Sequence, residues 1–150
     1  MYHSHIEPDN GAHSLLIEWE SAGGEMLREE KLFFSESSAR EYAREHERKF
    51  ILDWLKRFVG HARVLSEVGN KTFYNTQNKW NSLERMIAYE SVAHHDSLSA
   101  LCFNLLNYEQ SLRSILPAPT NISYLKQKEK LERILGECRR IRRTQLKQIA

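Results

Sequence analysis

Apolar and polar residues alternate over Leu15-Leu16-Ile17-Glu18-Trp19-Glu20, with Leu15, Ile17 and Trp19 on one side and Glu18 and Glu20 on the other. A period of two is the signature of a half-buried strand. Ser21-Ala22-Gly23-Gly24 reads as a turn, and Glu25 to Phe34 as a second strand ending in Leu32-Phe33-Phe34. A three-residue loop over Ala22–Gly24 sets Trp19 opposite Leu27 and Glu18 opposite Arg28. A two-residue loop at Gly23-Gly24 would set Glu18 against Glu29, a repulsive pair, so the longer loop is expected. A lone hairpin is marginal in water and must pack on a helix or extend another sheet. Residues 1–12, with Pro8, Asp9-Asn10 and Gly11, read as an irregular lead-in.

The period then changes to that of a helix. Ser38-Ala39-Arg40-Glu41 has the form of a capping box. Tyr42, His46, Phe50, Trp54, Phe58, Ala62 and Leu65 follow at helical spacing, widened by Ile51, Leu55 and Val59. Gly60 is a candidate kink, and Gly69-Asn70 is a stop. A second helix starts near Asn75-Thr76 and carries Trp80, Leu83, Met86, Ile87 and Val92. Asp96 caps a third, with Leu98, Leu101, Cys102, Leu105, Tyr108, Leu112 and Ile115, which Pro117-Ala118-Pro119 terminates. The fourth starts at Thr120 or Asn121 and carries Tyr124, Leu131, Ile134, Leu135, Cys138 and Ile141 in a coiled-coil-like seam over about two heptads.

The fold class expected is therefore mainly α, or α+β by strict count. An N-terminal β-hairpin (13–34) precedes about four helices (35–68, 75–93, 96–116 and 120–149) packed as a bundle. Short links between the later helices favour antiparallel neighbours. The length of 150 residues suggests a single domain over 1–150, and 41% hydrophobic residues argue against wholesale disorder. The expected core is Trp54, Phe58, Trp80, Leu83, Leu101, Leu105, Leu131 and Ile134.

Composition adds a compartment and a charge asymmetry. The N-terminus has neither a basic nor an apolar signal region, and no apolar stretch approaches the roughly 18 residues of a membrane span. Cys102 and Cys138 each sit in an apolar helical pattern, with no Cys-x-x-Cys pair. Two buried, reduced thiols are expected, in keeping with a reducing, cytoplasmic setting. Residues 126–150 hold nine Lys/Arg against three acids, a surplus of six within a chain of net charge +2. The rest of the chain is thus acidic, and such a split is informative about partners.

Candidate chemistry is sparse. Glu90 and His94 lie four apart on a helix, and His95 and Asp96 add donors, but neither Glu-x-x-His nor His-Glu-x-x-His spacing occurs. His94-His95 reads better as an exposed inter-helix turn, and His3-x-His5 as terminal polar residues. There is no Gly-x-Ser-x-Gly elbow and no P-loop, and neither cysteine has an identifiable histidine partner. The acids Glu36, Glu41, Glu45 and Glu47 alternate with Arg40, Arg44, Arg48 and Lys49, and Arg40–Arg44–Arg48 and Glu41–Glu45 read as adjacent solvated rows linked by ion pairs, not as an acid/base dyad. No enzyme, cofactor or metal is expected.

The remaining feature is the basic C-terminal helix. Arg139, Arg140, Arg142, Arg143 and Lys147 are its candidate partner- or phosphate-binding residues. The first reading is a non-enzymatic helical adaptor or regulatory protein that binds a protein partner or itself. The alternative is a nucleic-acid-binding protein that sets this helix on phosphates. A metal-dependent bundle enzyme using Glu90 and His94 is a weaker third. No aromatic residue interleaves the basic run, and Ile134, Ile141 and Ile149 suggest a packing seam, which favours a protein partner.

Overall fold

The computed structural model describes residues 2–69, 73–92 and 97–149, with side chains described for 2–67, 80–92 and 98–144. The elements run β1 (Tyr2–Asp9), β2 (Ala12–Glu20), β3 (Met26–Phe33), α1 (Glu36–Gly69), α2 (Phe73–Val92), α3 (Ser97–Asn107), α4 (Glu109–Ser114) and α5 (Tyr124–Ile149). Two compact units divide the chain within α1, residues 1–51 and 52–150.

The first unit is an antiparallel sheet in the order β1-β2-β3 with the start of α1 on one face. Trp19 pairs with Leu27 and Glu18 with Arg28, the register that the three-residue loop implies. Ser21 N–H donates to Glu25 O at 2.7 Å and closes that loop. The residues read as an irregular lead-in form β1 instead. Asn10 and Gly11 have φ of 49° and 84°, and Asp9 pairs with Ala12 across them. Positive φ at both central positions is the type I′ hairpin turn that Asn-Gly favours, so this dipeptide joins β1 to β2 within the expected lead-in. The alternation set by β2 then places Leu15, Ile17 and Trp19 on α1, where Leu15 and Ile17 form a small core with Ala39. Tyr2, Ile6, Phe33, Tyr42 and Ala43 pack around it. The hairpin is thus stabilised both by a third strand and by a helix.

Ser35, not Ser38, caps α1: its Oγ accepts from Ser38 N–H at 3.1 Å. Such a bond satisfies one of the orphan donors of the first turn. The helix runs through Gly60 without interruption. Arg48, expected in a solvated row, is buried, and so is Glu47 beside it. Arg48 lies three and four residues before the buried Ile51 and Leu52, so helical spacing carries it onto the buried stripe.

The second unit is helical. All eight expected core residues are buried, from Trp54 to Ile134. The expected third helix is divided in two. Tyr108, at φ −92° and ψ 8°, leaves helical geometry, and its N–H is shared between Asn104 O and Leu105 O at 3.0 and 3.1 Å. Helix α5 starts at Tyr124, later than expected, because residues 118–123 form turns first. Asn121 N–H donates to Ala118 O, and Asn121 Oδ1 accepts from Ser123 N–H, both at 2.8 Å. Helix α2 starts at Phe73, two residues before the expected Asn75-Thr76.

Candidate functional site

The seam of α5 is buried as its pattern requires: Leu131, Ile134, Leu135, Cys138 and Ile141 all face inward. This orientation puts the candidate arginines at its margins. Arg139 donates to Glu109 of α4 at 2.6 Å. Arg113, also on α4, reaches Glu109 at 2.9 Å and Glu132 of α5 at 2.5 Å. Glu109, Arg113, Glu132 and Arg139 thus form a two-acid, two-base network across α4 and α5. Desolvation raises the Glu109 carboxyl, but hydrogen bonds from Arg113 and Arg139 outweigh it and hold it below the ordinary value. The bond from Arg113 does the same for Glu132.

Three residues further along the helix, the Arg142 guanidinium lies 5.7 Å from the ring centre of Phe103 on α3, a ring about half exposed. Arg140 is bonded to Glu137 one turn back, and Arg143 Nε donates to Arg139 O at 3.4 Å. The Lys147 side chain lies outside the described residues. Arg139 and Arg140 are thus matched to carboxylates and Arg142 is seated on a ring, while Arg143 reaches a backbone carbonyl. Pairs of this kind at a protein surface are weakly held and exchangeable.

A second cluster, in the first unit, was not visible in the sequence. His46 was read only as a position in the stripe of α1. The Tyr2 hydroxyl donates to Ala43 O at 3.1 Å and lies 3.3 Å from His46 Nδ1. On the other side of the ring, His46 Nε2 lies 3.5 Å from Glu29 Oε2, and the Tyr42 hydroxyl donates to Glu29 Oε1. Trp19 meets the imidazole edge-on at 4.4 Å. Lys31 Nζ sits 4.5 Å over the Tyr42 ring. Burial lowers the His46 pKa against the pull of Glu29, and the bond to Glu29 raises that of Tyr42. A carboxylate–imidazole–phenol row has the components of a proton relay. Here its terminal hydroxyl is committed to a backbone carbonyl, so the row ties β1, β3 and α1 together.

Glu90, considered as a metal ligand, is buried and accepts from Asn104 Nδ2 at 2.7 Å. His94, His95 and Asp96 lie outside the described residues. Among the described residues no group of three or more His, Cys, Asp or Glu is placed to hold a metal ion. Cys102 of α3 and Cys138 of α5 are buried free thiols. They meet side chain to side chain, a contact that, with burial, pushes the Cys102 thiol far above its ordinary range. Among the described residues no helix is long and apolar enough to cross a membrane. No protein-family model matches the chain, and no curated protein or solved structure matches it either.

Proposed function

We propose that this chain is a non-enzymatic adaptor or regulatory protein that acts by protein–protein contact, with the outer margins of α5 as its docking surface. The observation that carries this reading is the pairing of its arginines. Arg139 with Glu109, Arg140 with Glu137 and Arg142 over the half-exposed Phe103 make a surface of both signs with an apolar ring in it. Mixed charge around an aromatic anchor suits a protein partner, where Arg and aromatic residues dominate binding. A nucleic-acid backbone would have to compete with Glu109 for Arg139 and with Glu137 for Arg140. The two buried thiols favour a reducing, cytoplasmic setting.

The test is nucleic-acid binding as a function of salt. A phosphate-binding helix gives a logarithmic slope of about 0.9 per phosphate neutralised on duplex DNA. We expect weak association that vanishes near physiological salt. Sub-micromolar binding at about 0.15 M salt, lost in the Arg139→Glu/Arg142→Glu/Arg143→Glu variant, would overturn the proposal in favour of a nucleic-acid interface.

A further inference from the structure

The sheet of the first unit ends on an open strand. With the order β1-β2-β3, β1 pairs with β2 along one edge only. His3, Ser4, His5, Glu7, Pro8 and Asp9 are all exposed. The two-residue turn at Asn10-Gly11 makes Asp9 and Ala12 a hydrogen-bonded pair. By alternation His3, His5, Glu7 and Asp9 direct their backbone groups to β2. Tyr2, Ser4, Ile6 and Pro8 direct theirs to the open edge. An unpaired row of this kind is a template for another strand.

We propose that the open edge of β1 is a self-association surface, on which β1 of a second copy pairs antiparallel about Ile6. The argument is the complementarity of the strand with its own reverse. In this register Ile6 meets Ile6 of the second copy, and each exchanges both N–H···O bonds with its mate. Ser4 N–H of each copy donates to the Pro8 carbonyl of the other. Pro8 therefore stands where an acceptor is needed, and its missing N–H limits pairing toward the turn. On the exposed face His5 falls opposite Glu7, and His3 opposite Asp9, in both halves of the two-fold pair. Within one chain His5 Nε2 already lies 2.9 Å from Glu7 Oε1, so the two side chains have the reach for this contact. His5 and Glu7 meet at a non-hydrogen-bonded position, where cross-strand side chains are closest. The register one step away, centred on Ser4, sets His3 against His5 and has no such complement. The result is one continuous sheet made from two three-stranded ones, an isologous arrangement. The proposal uses no residue of α5, so its failure would leave the adaptor reading standing.

The experiment is sedimentation equilibrium of the full chain over a concentration series, with four variants. Wild type should show a reversible monomer–dimer equilibrium. Glu7→Lys and His5→Glu should each weaken the dimer by about tenfold: the first removes the carboxylate that faces His5, and the second sets two carboxylates against each other, in both halves of the pair. The double variant His5→Glu/Glu7→Lys restores opposite charges and should recover dimerisation. Ser4→Pro removes an amide that faces the open edge, leaves the β1–β2 ladder intact, and should abolish the dimer without lowering the melting midpoint at concentrations where wild type is monomeric. A wild-type chain that stays monomeric at high micromolar concentration overturns the proposal. So does a dimer insensitive to Ser4→Pro, or a double variant no better than the single ones.

Discussion

Arg139 of α5 and Glu109 of α4 meet at 2.6 Å, and Arg113 completes the contact by bonding Glu109 and Glu132 together. The helices α4 and α5 are therefore joined at the surface by charge as well as by the seam beneath. An exposed pair is worth about 0–1 kcal/mol, and a network of four groups is the arrangement in which such pairs contribute measurably.

The network sets an acid limit on stability. The folded pKa values of Glu109 and Glu132 lie below their ordinary carboxylate value. The unfolded chain therefore binds these protons more readily. Their contribution is present above the unfolded pKa and lost as the pH falls through the folded one. Urea midpoints measured from pH 7 downward should fall below about pH 4.5, near the ordinary Glu pKa. Glu109→Gln/Glu132→Gln should start lower at neutral pH and lose less on acidification. Equal losses in both proteins would show that the network is unformed in solution.

His46 gives the opposite kind of group with the same slope. Burial lowers its pKa, Glu29 opposes, and Lys49 adds to the lowering. Tyr2, Trp19 and Tyr42 complete its surroundings. The unfolded chain again binds the proton more readily, so stability rises with pH up to about 6.5 and is lost below it. Denaturation between pH 5 and 8 should show this rise, and His46→Phe should flatten it. A wild-type stability that falls with rising pH would mean that Glu29, not burial, governs the imidazole.

The core tests the register of α3. Leu105 is fully buried, and Leu105→Ala should cost about 2–5 kcal/mol, read as a lowered denaturation midpoint. An unchanged midpoint would show that the surroundings make no use of it.

That register was legible because it depends on helical spacing alone. The β2–β3 register was legible too, since the Glu18–Arg28 pair and the glycine loop are local signals. The strand β1 was not. As an edge strand it carries only Tyr2 and Ile6 as large half-buried residues, and its pairing comes from β2 rather than from its own pattern. The break at Tyr108 escaped for a related reason: Leu105, Tyr108 and Leu112 keep helical spacing across it. The partners of the α5 arginines were invisible because Glu109 and Phe103 lie some 30 to 40 residues away in sequence. Periodicity says which face an arginine occupies, not which distant carboxylate meets it.

The cysteines follow the same division. Burial of each was readable from its helix, but their mutual contact required the packing of α3 on α5. Thiolate is the reactive form, and at Cys102 both that contact and burial disfavour it, while Cys138 is buried from reagent. A thiol reagent should label native protein slowly and denatured protein at once. Rapid labelling of both residues under native conditions would contradict their burial.

Gln127 is the residue on α5 that breaks the chemistry of its surroundings. It is fully buried, and neither Oε1 nor Nε2 has a hydrogen-bond partner among the described residues. An amide in that position loses its water and gains nothing in return, a cost of about 1–3 kcal/mol. Leucine is close in volume and has no polar group to desolvate. Gln127→Leu should therefore leave stability unchanged or raise it by up to about 2 kcal/mol, with the melting midpoint moving about 2–4 °C per kcal/mol. Gln127→Ala, which leaves a cavity beside Leu131, should do the reverse. A loss in Gln127→Leu of more than about 1 kcal/mol would show that the amide is hydrogen-bonded in solution and that this end of α5 is organised around it.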